Sequence, residues 1–91
     1  MRKATFSTKN ISKNTEFVLK NVSNINFYNA GTSNVSVNGK KILSGKEFRI
    51  SDNHILDEIQ FKIEFDSNNP TDNKLEVAFL SIIEVKENNI C

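Results

Sequence analysis

Residues 58–65 read EIQFKIEF, and apolar and polar side chains alternate there without a break. Ile59, Phe61, Ile63 and Phe65 fall on one side, Glu58, Gln60, Lys62 and Glu64 on the other. Successive side chains of a β-strand point to opposite faces, so the stretch places one set in a core and the other in water. A helix would scatter the same apolar residues around its circumference. The pattern recurs in shorter runs: Ile25 with Phe27, Val35 with Val37, Phe48 with Ile50, Phe17 with Leu19, and Ala4 with Phe6. All seven phenylalanines, Phe6 and Phe79 included, fall at strand-core parity and are read as core. Tyr28 has the opposite parity to Phe27 and is expected to face outward, where it could contact a partner or a sugar. No segment keeps helical spacing over three turns.

The turns between these runs are equally legible. All three glycines lie within residues 29–50, NAGTSNVSVNGKKILSGKEFRI. Asn38-Gly39 sits between apolar runs, and a two-residue type I′ turn there requires positive φ at both central positions. NAGT at 29–32 and LSGKE at 43–47 predict two further turns, which together make a tight meander. DSNNPTDN at 66–73 is a longer polar connection, because Pro70 cannot donate to the interior of a ladder. SDNHILDE at 51–58 reads either as a short helical turn opened by Ser51 or Asp52, or as a loop that tucks in Ile55 or Leu56. About seven short strands with turn signals at this spacing predict an all-β chain. The expected architecture is a small antiparallel β-sandwich, of jelly-roll or immunoglobulin-like type, in a single domain over residues 1–91.

A chain of 91 residues buries only roughly 60–65% of its unfolded surface, so the core is thin and partner burial is useful. Cys91 is the sole cysteine, which leaves no intrachain disulfide, and it reads as an inert surface thiol. One cysteine and one distant histidine do not make a zinc site. Twelve basic and eleven acidic side chains are well mixed, with a net charge of +1. Nucleic-acid binders carry a clustered basic excess, so no nucleic-acid partner is expected. The N-terminal run MRKATFSTKN lacks an apolar signal core, and the apolar runs are too short to cross a bilayer. A soluble protein assembled in a cytoplasm is the expectation. The fourteen asparagines fit AT-rich codon usage. The glycosylation-type patterns at Asn10, Asn21 and Asn34 are read as chance in such a chain.

Catalytic chemistry finds few candidates. His54 lies near Asp52 and Asp57, but no second histidine, cysteine or nucleophile motif accompanies them, so the segment reads as a polar loop. No Gly-x-Ser-x-Gly elbow occurs, and NAGTSN and LSGKE lack the phosphate-loop spacing. Asp66 and Asp72 flank the 66–73 loop without calcium-loop spacing. The expectation is a non-enzyme with no cofactor and no metal.

One segment departs from clean alternation. In LEVAFLSIIEV, residues 75–85, Leu75, Val77, Phe79, Ile83 and Val85 share one face, yet Ala78, Leu80 and Ile82 make the middle of the opposite face apolar. A strand of an antiparallel sandwich normally shows one face to water. Three readings compete. A bulge near Ser81 could switch the inward register. The N-terminal segment or residues 52–57 could cover the outer side. Or Ala78, Leu80 and Ile82 could form a subunit interface, with Tyr28 as a further interface residue; this reading ranks first, with a homotrimer as the favoured oligomer.

The stretch at 29–50 resembles a pattern of small β-structured virion proteins of tailed bacteriophages, particularly phages of Bacteroidetes. An Asn-x-Gly turn, Val35-x-Val37, Asn38-Gly39, an aliphatic pair and a small-residue turn before Phe48 carry the likeness. Where such sequences often have Pro-Gly-Glu, this chain has Ser44-Gly45-Lys46-Glu47. The resemblance implies a capsid-decoration, head-fibre or tail-associated subunit, multimeric and without catalytic residues, whose partners are other virion proteins. The alternative function is a small glycan-binding β-sandwich module.

Overall fold

The computed structural model describes residues 2–50 and 55–84. The chain is all-β, an antiparallel sandwich of seven strands with no helix among the described residues. The strands are β1 (Arg2–Ile11), β2 (Thr15–Asn29), β3 (Val35–Val37), β4 (Lys40–Ile42), β5 (Glu47–Ile50), β6 (Leu56–Phe65) and β7 (Leu75–Glu84). They follow the hydrogen-bonded order β1-β7-β2-β6-β3-β4, with β5 also on β2.

The sandwich is one sheet folded over on itself, and β2 is the fold line. Its first half, Thr15 to Val22, pairs with β6, while its second half lies between β7 and β5. Phe17 pairs with Phe61, yet the Phe61 ring also meets Phe27 edge-on at 4.9 Å. In a straight strand, Phe17 and Phe27 would stand about 33 Å apart. One layer is therefore the first half of β2 with β6, β3 and β4; the other is β1, β7, the second half of β2 and β5.

Two asparagines make the corner. Asn21 (φ 55°) and Asn24 (φ 52°) adopt the left-handed conformation, which asparagine tolerates better than other side chains with a Cβ. The core-directed residues of β2 run Leu19, Val22, Ile25, Phe27, and each three-residue step contains one of these asparagines. The second step is a bulge, since Ser23 and Asn26 oppose Leu80 and Ala78.

The core holds Val22, Ile25, Phe27, Phe61, Ile63, Phe65, Leu75 and Val77, with Ile11, Val35, Val37 and Ile42 closing its ends. Phe17 and Phe48 are half-buried against it, each with a lysine ammonium over the ring, Lys9 at 4.9 Å and Lys40 at 5.3 Å. Asn29 is fully buried but well satisfied. Its Nδ2 donates to the carbonyls of Ser33 (2.8 Å) and Ile42 (3.0 Å), and its Oδ1 accepts from the Gly31 amide (3.1 Å). Beside it, the amides of Ala30 and Gly31 share the Lys74 carbonyl, at 2.9 and 3.1 Å. Gly31 is required by this approach, because a Cβ would strike the Asp72 carbonyl and stand 2.7 Å from the Lys74 nitrogen.

The Asn38-Gly39 turn takes the expected form, with φ of 48° and 85° and Val37 opposite Lys40. Other expectations need correction. The 29–50 stretch is not a continuous meander: only β3 and β4 form a hairpin, whereas β3 pairs with β6 and β5 crosses to the other layer beside β2. Residues 56–58 begin β6 rather than closing a loop. Ala4 and Phe6 are exposed, not core, because their pairing with Ile82 and Leu80 puts them on the outer face. Ile83 is exposed on the inner face, since β7 runs past the β2 corner at Ser81 with only β1 beside it. The bulge lies in β2 opposite β7, not at Ser81; β7 keeps a constant register with β1 throughout. Ser51 to His54, Val85 and Cys91 lie outside the described residues.

Candidate interaction surface

The outer face of the β1–β7–β2–β5 layer is built from rows of cross-strand neighbours. Asn10, Glu76, Tyr28 and Glu47 form one row; Thr8, Ala78, Asn26 and Arg49 the next; Phe6 and Leu80 follow; Ala4 and Ile82 end the series. The third and fourth rows are apolar at β1 and β7, and the first two are mixed polar.

The face is concave because Ala78 is the shortest side chain in the centre of the layer. Two adjoining hollows meet at Phe6, Asn26 and Ala78. The larger, about 500 Å³, reaches Leu80, Asn24 and Arg49. The smaller, about 350 Å³, reaches Thr8, Asn10, Tyr28 and Glu76. Phe6 projects between them and is 69% exposed, a large apolar area left in water. Asn26 is half-buried; its Nδ2 points at the Glu47 carboxylate (3.4 Å), and its Oδ1 is buried with no partner among the described residues.

Of the sequence-expected interface residues, Ala78 and Leu80 line the larger hollow, Tyr28 lines the smaller, and Ile82 shares the face farther out without lining either. Tyr28 faces outward as expected and is 39% exposed. Phe6, Asn24, Asn26 and Arg49 were not expected here. Parity within ATFS shows that Ala4 and Phe6 share a face, but only the register with β7 tells which face it is. Of the residues considered for catalysis or metal binding, Asp57 is exposed in β6, while Asp52 and His54 lie outside the described residues. The loop carboxylates have local partners: Asp66 accepts from Lys41 Nζ at 3.1 Å, and Asp72 from the hydroxyls of Thr32 (3.3 Å) and Ser67 (3.2 Å). No cluster of three or more His, Cys, Asp or Glu that could hold a metal occurs among the described residues.

Comparison with protein-family models, with curated proteins and with solved structures gives no match.

Proposed function

We propose that this chain is a non-enzymatic structural subunit that works by protein–protein assembly, and that its setting is the virion of a tailed phage, as a decoration, head-fibre or tail-associated protein. The observation that carries the assembly reading is the apolar end of the outer face, where Phe6, Leu80 and Ile82 stand together on β1 and β7. Beside it, β1 pairs only with β7 among the described residues and so offers a ten-residue edge. A partly exposed apolar patch next to an open edge is an aggregation hazard in a solitary chain and a docking surface in an assembly. Each large apolar side chain that becomes fully buried against a neighbour contributes roughly 1.5–3 kcal/mol. The virion setting rests on the resemblance of residues 29–50, and a homotrimer is the proposed state.

Sedimentation equilibrium tests the assembly. The wild type is expected at a multiple of 10.3 kDa, and Leu80→Asp at the monomer mass with an unchanged β-type circular dichroism spectrum. A wild type that stays monomeric at high concentration removes the homo-oligomer. Mass spectrometry of purified particles tests the virion setting.

A further inference from the structure

Asn38 does more than turn the chain. Its backbone N–H donates to the Lys62 carbonyl at 2.9 Å. Its side chain takes two further places on the same strand. Oδ1 accepts from the Lys62 amide at 2.7 Å, and Nδ2 donates to the Gln60 carbonyl at 3.1 Å. Backbone pairing of β3 with β6 ends at Val37, so the asparagine amide continues a ladder that the main chain is leaving. The residue is nevertheless exposed, and it is the one asparagine of fourteen that precedes a glycine. Gly39 has no Cβ to shield its backbone nitrogen.

We propose that Asn38 is a site of spontaneous deamidation, and that its hydrogen bonds to β6 gate the reaction. The Gly39 nitrogen attacks Asn38 Cγ. The N–Cγ bond forms, the Cγ–Nδ2 bond breaks, and ammonia leaves with the Gly39 proton. Water then opens the cyclic imide at either carbonyl, giving aspartate or isoaspartate. The attack needs Cγ aligned with the Gly39 nitrogen. With Oδ1 and Nδ2 held by Lys62 and Gln60, the side chain has to break two hydrogen bonds before it can turn to that nitrogen. Reaction therefore waits for the β3–β4 hairpin to open from β6. The change is one-way. Aspartate replaces the Nδ2 donor with an oxygen that faces the Gln60 carbonyl, and isoaspartate adds a methylene to the main chain inside the turn. Either product holds the hairpin less well. The site lies in the layer opposite the proposed assembly contact and does not depend on that reading.

Peptide mapping by mass spectrometry tests the site, with isoaspartyl methyltransferase as the probe for isoaspartate. The whole chain is incubated in mildly alkaline buffer, folded and in urea. In urea Asn38 is expected to convert first among the fourteen asparagines. In the folded chain its conversion is expected to be at least about tenfold slower, since two hydrogen bonds must break. Hydrogen exchange at the Lys62 amide reports the same opening independently and is expected to be slow. Asn38→Asp, which already carries one product, is expected to lower the melting midpoint. No conversion at Asn38 in urea, or conversion that begins at another asparagine, overturns the site. Conversion as fast in the folded chain as in urea overturns the gate, and so does rapid exchange at Lys62. An Asn38→Asp chain as stable as wild type overturns the loosening of the hairpin.

Discussion

β6 and β7 invite comparison because they are built alike. Each has ten residues, and each is flanked on both edges, β6 by β2 and β3, β7 by β1 and β2. Each sends buried side chains into the shared core, Phe61, Ile63 and Phe65 from one and Leu75 and Val77 from the other. Their outer faces differ. Glu58, Gln60, Lys62 and Glu64 of β6 are all exposed, and all charged or amide. Ala78, Leu80 and Ile82 of β7 are half-buried and apolar, and Phe6 extends the patch onto β1. Equal roles in the fold with unequal outer faces separate what the fold needs from what it does not. The charged and amide outer face of β6 shows that a strand in this role does not need apolar side chains on that side, so the apolar outer face of β7 is not required by its place in the core.

The inner faces are expected to behave alike, and the largest effect lies there. Phe61 is buried between Phe17 and Phe27, with ring centroids at 5.5 and 4.9 Å. Phe61→Ala leaves a cavity between the two layers and is expected to cost about 3–5 kcal/mol, measured as a lower urea midpoint. A loss under about 1 kcal/mol would show that the two layers do not depend on this contact.

The next effects concern the backbone that lets one sheet present two different outer faces. Gly39 has φ of 85° and open space where a Cβ would be, so Gly39→Val probes backbone conformation alone. It is expected to cost about 1–2 kcal/mol. Asn24→Val forces a β-branched residue into φ near 52° and is expected to cost about 1 kcal/mol or more, whereas Asn24→Gly is tolerated. Thermal melts of the three variants rank them. An unaffected Asn24→Val would mean that the bulge relaxes, and with it the step that turns Ile25 inward beside Val22.

These two turns also mark where the sequence was legible. Asn38-Gly39 announces itself because the pair stands between two alternating runs and glycine is rare in this chain. Asn21 and Asn24 do not. Fourteen asparagines make each one unremarkable, and the corner looks like the end of one strand and the start of another, EFVLK and then NINFYN. The visible trace is the recurrence Asn-Val-Ser-Asn-Ile, an asparagine before each aliphatic residue at a spacing of three. Alternation alone located the inner faces of β6, β3 and the second half of β2. It could not place Phe6, because an edge strand with few apolar residues carries no internal mark of its buried side. Nor could it foresee Asn26 and Arg49 beside Ala78, a neighbourhood set by two pairings distant in sequence.

The smallest expected effect tests the other side of the comparison. Lys62 and Glu64 approach to 3.7 Å on the outer face of β6, and both side chains are more than half exposed. An ion pair so open to water is worth about 0–1 kcal/mol, and residues two apart on a strand share a face without forming a cross-strand contact. Lys62→Gln removes the charge and leaves a somewhat shorter polar side chain. Its stability, followed by thermal melting, should stay within about 0.5 kcal/mol of wild type, and its sedimentation mass should be unchanged. A loss of assembly in Lys62→Gln comparable to that expected for Leu80→Asp would mean that β6 also meets a partner. The contrast between a solvated β6 face and the β7 face proposed for assembly would then give way to a subunit contacted on both layers.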